Sequence, residues 1–487
     1  MTGKPAPRKV LLIHVASLDE FVESHIFYPI KFALLSIFSH LRDAGVEVEV
    51  LDLENELGHP GSPEEYAAYL ARAAQLLSVR EFDIAAIGCY TSYVYTNARE
   101  IARLCRASHP RAFVVAGGYH PSSLPGDFDG PASPFDAVIT GEAELALEDL
   151  AREGRPGGDG KFSVIAGRPL DISVGAALRL EEYPYAATPS PYYSVVLSRG
   201  CPFHCNYCVE PWAGGGWRPY SVAESLNLID RVVSLHKPKR ISIFDPLFGF
   251  QKAWRREFLE ALVRRNYPVT YDMETRVDLL EREDVDLLAR LDITGHLGVE
   301  SASASTLRIM QKTTAPQRYL EQLESLLTYA ARKDALFVVN MIFNHPGETP
   351  RTHRESLSFM AGLTSKLPRI AHRFNAFSYA FYPGAPQFYK ISDFEEKYGT
   401  EVFHKEWWKG AGASGHQRAI DVVASREMRA RFGRNHSYWI EDYKDLAGDA
   451  MEKASGKLQL QLASNQLAQT QAREHLPAAS LAKASRS

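Results

Sequence analysis

The sequence has few cysteines, little net charge and no long hydrophobic run, and each absence excludes a class of protein. Five cysteines in 487 residues cannot form the disulfide framework of a small secreted domain. A formal net charge of -4 gives no general attraction to nucleic acid or to anionic lipid. No apolar run approaches the ~18 uncharged residues that a membrane helix requires. We therefore expect a cytoplasmic protein with neither nucleic acid nor membrane as a partner.

Residues 1–150 repeat a strand–helix pattern. Amphipathic segments of helical length separate five short apolar runs, which are typical of parallel strands buried on both faces. The predicted strands are Lys9–Val15, Val46–Leu53, Asp83–Cys89, Ala112–Ala116 and Asp136–Thr140. This alternation predicts a doubly wound, Rossmann-like α/β domain, whose ligands would bind beyond the carboxyl ends of the strands.

The rest of the chain divides into three parts. Residues 151–190 are rich in glycine and proline and predict a linker. Strand–helix alternation resumes over residues 191–385, with strands predicted at Tyr193–Ser198, Arg240–Phe244, Thr270–Thr275, Gly295–Glu300, Phe337–Phe343 and Arg373–Phe381. Six units suit an open, partial (β/α)6 barrel with its chemistry at the carboxyl ends of the strands. Residues 386–487 predict a small, mostly helical region, with a disordered tail from about residue 453.

Three of the five cysteines lie within eight positions, directly after the first predicted strand of the barrel. Cys201, Cys205 and Cys208 have the spacing C-x3-C-x2-C, and three thiolates on one loop indicate a soft metal centre. A structural zinc site normally has four ligands in paired clusters, although His204 stays open as a fourth ligand. Three cysteines on a four-iron cluster leave one iron open to a small molecule, which makes such a centre catalytic. Three structural cysteines that are close by chance remain the other alternative.

This cysteine motif resembles that of the radical S-adenosylmethionine (SAM) superfamily, and the resemblance covers residues 192–385. It implies a 4Fe-4S cluster on the three cysteines and reductive cleavage of SAM to a 5′-deoxyadenosyl radical. The resemblance also implies SAM contacts through the aromatic residue before the last cysteine and through polar groups at strand ends. A further contact is implied by the segment Asn344–Thr349, which is similar to the family's G-x-P-G-E-T motif. The implied SAM-binding residues are Tyr207, Asp245, Glu274, Arg276, Glu300, Ser301 and Asn344.

These polar residues also have structural interpretations. Glu274 could pair with Arg276 or Arg240 on a solvated rim, and Glu300 could have a purely structural role. The dipeptide Pro346–Gly347 could form only a turn. The correct order of all these features behind a cysteine triplet favours a SAM site.

The N-terminal domain resembles the cobalamin (B12)-binding domain of a large radical SAM subfamily. Adjacent glycines after the fourth predicted strand allow the backbone to approach a flat macrocycle. The implied cobalamin-binding residues are Gly117, Gly118, Tyr119, His120, Ser122, Gly141 and Glu142. The motif Asp-x-His-x-x-Gly, which supplies a histidine to cobalt in other cobalamin proteins, is absent, so we expect no histidine on cobalt. A domain that binds no cofactor is the alternative.

Two reactions suit this architecture. The first is cobalamin-dependent C-methylation of an unactivated carbon in a small polar metabolite of the natural-product type, because the two cofactors could flank one substrate carbon. The alternative is a radical SAM dehydratase, cyclase or oxidoreductase whose N-terminal domain does not use cobalamin. Either reaction implies an external electron donor such as flavodoxin or ferredoxin. An iron–sulfur scaffold protein is disfavoured, because it would not need an open iron.

Overall fold

The chain forms two parallel sheets with helices around them, followed by a small C-terminal region. The computed structural model describes residues 7–18, 28–154, 161–172, 178–210, 216–367, 372–410 and 415–434. The tail that was expected to be disordered lies outside the described residues. Each large sheet has six strands, and all the strand pairs in both sheets are parallel.

The first sheet contains all five strands that the sequence predicts, and one more. Its strands are β1 Val10–His14, β2 Val48–Asp52, β3 Ile84–Gly88, β4 Phe113–Gly117, β5 Ala137–Thr140 and β6 Ser163–Ala166. Their order, β2-β1-β3-β4-β5-β6, reverses direction at β1, and doubly wound sheets bind ligands at such a switch point. Strand β6 lies within residues 151–190, which the sequence predicts as a linker, and it is a four-residue edge strand whose side chains alternate between half-buried and exposed.

Helices cover both faces of this first sheet. They are α1 Phe32–Asp43, α2 Leu53–Leu57, α3 Pro63–Ser78, α4 Tyr95–Ser108, α5 Tyr119–Ser123 and α6 Glu144–Glu153. Helix α3 begins where the Ser62 hydroxyl accepts from the backbone N–H of Glu65 and Pro63 takes the first helical position. Helices α1 and α6 share a continuous apolar core with the second sheet, so the two domains are packed together.

The second sheet keeps its strands in sequential order, as a barrel wall does. After β7 Tyr192–Val195, a short antiparallel pair, β8 Ser198–Arg199 and β9 Arg218–Pro219, flanks the cysteine loop. The remaining strands are β10 Arg240–Ile243, β11 Thr270–Thr275, β12 Ile293–Glu300, β13 Phe337–Phe343 and β14 His372–Ser378. The order β14-β13-β12-β11-β10-β7 confirms the predicted open six-stranded arrangement.

The two faces of this second sheet differ in polarity. On β11, Tyr271 and Met273 are buried in the apolar core, whereas Asp272 is half-buried and Glu274 is exposed. Because alternate residues of a strand point to opposite faces, the face away from the core is polar and accessible.

The helices around the second sheet lie between its strands in the sequence. They are α7 Val222–His236, α8 Lys252–Arg265, α9 Arg282–Arg290, α10 Ala304–Ile309, α11 Pro316–Ala330 and α12 Pro350–Lys366. Helix α7 starts with a capping box, in which Ser221 and Glu224 satisfy each other's backbone N–H groups.

The described C-terminal region is mostly helical, as expected, with one added pair of strands. Its elements are α13 Pro386–Tyr389, α14 Ile391–Tyr398, β15 Glu401–Val402, α15 Gly415–Ala419, β16 Val422–Val423 and α16 Arg426–Phe432. The indole of Trp408 donates to Asp127 (2.6 Å), so this region contacts the first domain. None of the helices in the described ranges combines the length and hydropathy needed to cross a bilayer.

Candidate functional site

The three cysteines of the motif lie together on the loop that follows β8. All three are free thiols, with Cys205 buried and the other two half-buried. Thiolates on one tetrahedral zinc ion lie ~3.8 Å apart, from bonds of ~2.3 Å, whereas these three sulfur atoms do not all lie within 4.8 Å of one another. Three free thiols on one loop are the donor set that a 4Fe-4S cluster takes from the protein when one iron stays open. His204 is exposed.

Backbone contacts from distant elements hold the cysteine loop in place. The Asn206 backbone N–H donates to the carbonyl of Met310 (3.0 Å), and its side-chain amide donates to the carbonyl of Ile309 (2.6 Å). Its own carbonyl accepts from the backbone of Gln387 (2.9 Å). Sequence reasoning missed Asn206, because its partners lie more than 100 residues further along the chain.

Glu300 forms a buried ion pair with a lysine that the sequence analysis did not predict. The Lys312 ammonium lies 3.1 Å from the Glu300 carboxylate and 3.4 Å from the Tyr207 hydroxyl. Burial lowers the pKa of Lys312, but the Glu300 carboxylate raises it, and the net pKa is above the ordinary value. Tyr207 and Glu300 are therefore brought together, on the side of the barrel that carries the cysteine loop.

The backbone at Glu300 is unusual. Strand β12 carries a register shift between Gly298 and Glu300, and Glu300 has a φ of 70°, which is rare for a residue with a side chain. A Cβ at Gly298 would lie 2.6 Å from a Glu300 carboxylate oxygen and 3.0 Å from the Lys312 nitrogen. The bulge in β12 and the missing side chain at Gly298 together allow the Glu300 carboxylate to reach Lys312. Backbone strain of this kind is typical of functional sites.

Glu274 presents a free carboxylate to the accessible face of the barrel wall. It is exposed and makes no side-chain hydrogen bond or ion pair with any described residue. Burial by the surrounding protein, with the carboxylates of Glu300 and Asp272 nearby, nevertheless raises the pKa of Glu274. Glu274 is therefore an accessible carboxylate without a paired cation among the described residues.

Arg276 was predicted to contact SAM, but its guanidinium points toward the cysteine loop. Two nitrogens donate to the Asp278 carboxylate at 2.9 and 2.8 Å, and one also donates to the Lys312 carbonyl at 2.9 Å. The remaining nitrogen lies 3.9 Å from the sulfur of Cys205. The predicted rim pair between Arg276 and Glu274 is absent, because Asp278 takes the guanidinium.

Asp245 and Ser301 make contacts within the protein that differ from the implied SAM contacts. Both carboxylate oxygens of Asp245 are occupied, by the Leu197 backbone N–H and the Ser198 hydroxyl, each at 2.6 Å, and the residue is only 2% exposed. Burial raises its pKa to about 7. The Ser301 hydroxyl lies 3.0 Å from that of Ser356, also in a buried position.

Asn344 also has a structural environment. Its φ is 62°, a conformation that favours glycine and that asparagine tolerates, which explains how asparagine replaces the first glycine of the G-x-P-G-E-T motif. The side-chain amide donates to the Val422 carbonyl, and its oxygen accepts from the Ala424 backbone at 3.1 Å. Asn344 therefore attaches β16 to the barrel, and a direct SAM contact is unsupported by these interactions.

The glycines after β4 and β5 differ in what surrounds them. A Cβ at Gly117 would meet no atom within 4 Å, so its backbone borders open space that a macrocycle could fill. At Gly118, with φ of 118°, a Cβ would lie 2.6 Å from the Cys89 carbonyl oxygen, so the protein's own chain requires this glycine. Gly141 has φ of 82°, and its N–H donates to the Ser122 hydroxyl (2.9 Å), which joins the two loops.

His120 lies inside the protein and not at the open edge of the sheet. It is 1% exposed, its Nδ1 is 2.8 Å from the Ser92 hydroxyl, and its Nε2 is 3.3 Å from an Asp127 oxygen. Burial lowers its pKa. A contact with cobalamin would require the ring to leave its packing against Trp408, so the expectation that His120 binds cobalamin is not supported.

Tyr119 and Glu142 join the first domain to the cysteine loop. The Tyr119 hydroxyl donates to Glu210, two residues beyond Cys208. Glu142 and Glu144 each accept from Arg199 at 2.8 Å, and Arg199 lies directly before the loop. Both Glu142 and Tyr119 therefore have protein partners at the domain boundary, and the loops beyond β4 and β5 adjoin the predicted cluster site.

Comparisons with known proteins match these two domains. Residues 195–360 match the family model "Radical SAM superfamily", and residues 27–151 match the "B12 binding domain". The chain is 26% identical over 356 residues to the hopanoid C-3 methylase of Methylococcus capsulatus, covering 68% of this chain and 63% of that protein. It is 25% identical over 302 residues to the anaerobic magnesium-protoporphyrin IX monomethyl ester cyclase of Rubrivivax gelatinosus, covering 55% and 53%. The chain thus spans between half and two thirds of the length of these relatives.

Among solved structures, the fold is similar to that of TsrM from Kitasatospora setae, a radical SAM methyltransferase. The TM-score is 0.65 at 18% identity, over 90% of this chain and 89% of that one. The chain thus carries a radical SAM domain over residues 195–360 behind a B12-binding domain over residues 27–151. These two domains imply SAM, a 4Fe-4S cluster and cobalamin as the cofactors.

Proposed function

We propose that the protein is a cobalamin-dependent radical SAM methyltransferase that adds a methyl group to a carbon atom of a small polar metabolite. Of the relatives named above, the hopanoid C-3 methylase supports methyl transfer, whereas the cyclase corresponds to the alternative reaction class. The observation that carries methyl transfer is the contact between the two cofactor-bearing edges. The Tyr119 hydroxyl, beside Gly117 and Gly118, bonds Glu210 at the end of the cysteine loop.

This contact supports the proposal, because it joins the residues that follow Gly117 to the end of the loop that would hold the cluster. Cobalamin, when bound, would supply a methyl group, and SAM on the cluster would supply a radical. A substrate between these two edges could be held close to both, which is the positioning that such a transfer requires. We propose Cys201, Cys205 and Cys208 as the cluster ligands, with Glu300 and Glu274 as SAM contacts.

The accessible wall of the barrel supports a polar substrate. Its half-buried side chains include Asp272, His296, Asn340 and Asn375, which occupy paired or neighbouring positions of β11 to β14. Phe244, directly after β10, is 51% exposed, and Phe377, on β14, is 43% exposed. This combination suits a small metabolite with polar groups and one flat or apolar part.

We further propose that an external donor such as flavodoxin or ferredoxin supplies the electrons. A cytoplasmic location is in keeping with five cysteines that form no disulfide among the described residues.

The products made from SAM test the proposed function. Methyl transfer leaves S-adenosylhomocysteine, whereas reductive cleavage leaves methionine and 5′-deoxyadenosine. Reconstituted protein, incubated anaerobically with SAM and a reductant, should form both products, and Cys201→Ala should abolish 5′-deoxyadenosine. Formation of 5′-deoxyadenosine without S-adenosylhomocysteine would favour the dehydratase, cyclase or oxidoreductase class. A Cys201→Ala protein that forms 5′-deoxyadenosine at the parent rate would contradict the cluster assignment.

A further inference from the structure

Arg276 is a buried arginine held in one orientation by contacts from three directions. Its side chain is 6% exposed and forms a two-pronged ion pair with Asp278, at 2.9 and 2.8 Å. The Lys312 carbonyl accepts a third hydrogen bond, at 2.9 Å. A guanidinium has five N–H groups, and these bonds use the three that point away from the cysteine loop.

The other end of the guanidinium faces the cysteine loop. Its Nη1 lies 3.9 Å from the Cys205 sulfur. The plane of the group packs over the ring of Phe203, 3.7 Å from the ring centre, and Phe203 lies between Cys201 and Cys205 in the motif. The arginine thus contacts both an aromatic ring of the loop and one of its sulfur atoms.

We propose that Arg276 tunes the cluster and does not bind SAM: it donates to the Cys205 sulfur and so raises the reduction potential of the iron–sulfur centre. Hydrogen bonds to the sulfur ligands and nearby positive charge are two of the factors that set such potentials. A cation beside the cluster stabilises the reduced form, which carries one more negative charge. The proposal rests on ligation of the cluster by Cys205, and it is independent of methyl transfer.

The competing interpretation is that Arg276 binds the SAM carboxylate. To do so, the guanidinium would have to give up Asp278 or turn away from Cys205, since only one N–H is left over after these contacts. Lys312, whose carbonyl fixes Arg276, extends its ammonium in the other direction, to Glu300. The two cations therefore have separate positions, one at the cluster sulfur and one at the predicted SAM site.

A redox titration followed by electron paramagnetic resonance tests the proposal on the reconstituted protein. In Arg276→Gln the positive charge is lost, and the cluster should become harder to reduce. At the parent midpoint potential, the ratio of reduced to oxidised cluster should fall about tenfold, which corresponds to ~59 mV for one electron. Asp278→Asn keeps the charge but loosens its orientation, and should give a smaller fall. Phe203→Leu is the matched control, since it alters the loop contact and leaves the charge and the donor in place.

SAM affinity, measured by calorimetry on the same proteins, distinguishes the two interpretations. An unchanged affinity with a lowered potential supports the proposal. An unchanged reduction potential overturns the proposal, whether or not the SAM affinity falls. If the potential is unchanged and the SAM affinity falls, Arg276 is assigned to SAM binding. If Arg276→Gln fails to retain iron, Asp278→Asn decides the question, because it keeps the cation but frees it from its fixed position beside Cys205. A lowered potential in Asp278→Asn supports the proposal, and an unchanged potential overturns it.

Discussion

The carboxylate of Glu300 lies 3.1 Å from the ammonium of Lys312, and both side chains are more than nine-tenths buried. The pair sits at the bulged end of β12, with the Tyr207 hydroxyl beside it. A buried pair of this kind contributes little net stability, because desolvation offsets the attraction, but removing one partner is costly. From the position of Glu300, its strained backbone and its charge, we propose that the carboxylate oxygen not bonded to Lys312 binds SAM.

Glu300→Gln should therefore weaken SAM binding roughly ten- to a hundredfold. A charge-assisted hydrogen bond contributes about 1.5–3 kcal/mol, and ~1.4 kcal/mol changes affinity tenfold. The variant should also lose ~3–5 kcal/mol of unfolding free energy, because Lys312 is left unpaired.

The double variant Glu300→Gln/Lys312→Met separates these two effects. Removing both charges should restore most of the stability while the SAM affinity, measured by calorimetry, stays low. A double variant that binds SAM as the parent does would show that Glu300 serves the fold alone.

Asp245 should make stability depend on pH. Burial raises its pKa to about 7, in opposition to hydrogen bonds from Ser198 and Leu197, whereas the unfolded value is ~3.9. An acid whose pKa rises on folding binds more protons in the folded state, so stability falls as pH rises between those two values. Asp245→Asn should remove that part of the decline.

Urea unfolding of the cluster-free protein between pH 4.5 and 7.5 measures this effect. Asp245 also bonds the segment that leads into the cysteine loop. In reconstituted Asp245→Asn at pH 7.5, iron retention should therefore change more than SAM affinity. Parallel stability curves for parent and Asp245→Asn would contradict the shifted pKa, and a selective loss of SAM affinity would return Asp245 to the SAM site.

Gly117→Val should lower corrin binding without loss of iron. The new side chain meets no protein atom within 4 Å at its Cβ, so it should fold, but it would occupy the space proposed for the macrocycle. Gly118→Ala is the contrasting variant, and it should be unstable even without cofactor, because its Cβ would clash with Cys89. If a folded Gly117→Val protein bound corrin fully, as judged from its visible spectrum, the edge of the sheet at Gly117 would be excluded as the cobalamin site.

Arg199→Met should destabilise the contact between the two domains. Glu144, whose side chain is 4% exposed, would lose its charged partner, at a cost of ~3–5 kcal/mol of unfolding free energy. Arg351→Met breaks an exposed pair with Glu355 at 3.3 Å and should cost less than ~1 kcal/mol. Equal losses of unfolding free energy in the two variants would refute a central role for Arg199.

The fold and the cysteine loop could be predicted because their signals are local in the sequence. Apolar runs of five to seven residues indicate buried strands, and three cysteines within eight positions indicate one metal centre. The edge strand Ser163–Ala166 escaped prediction because it is short and half-exposed, so it carries no clear apolar run.

The partners of polar side chains could not be predicted in the same way. Asp245 stands at a strand end, as a SAM ligand would, yet its carboxylate bonds Leu197 and Ser198 across the sheet. Lys312 gave no signal, because its proximity to Glu300 depends on the bulge in β12 and on the absence of a side chain at Gly298. Such contacts follow from the curvature of the barrel and not from spacing along the chain.

The ratio of iron to cobalt in one reconstituted preparation tests the central claim most directly. Protein supplied with iron, sulfide and hydroxocobalamin, then freed of excess cofactor, should contain roughly four irons and about one cobalt per chain. Cys201→Ala should lose the iron and keep the cobalt, and Gly117→Val should do the reverse. Four irons with no bound cobalt would contradict a cobalamin-dependent reaction, and cobalt without iron would contradict the cluster.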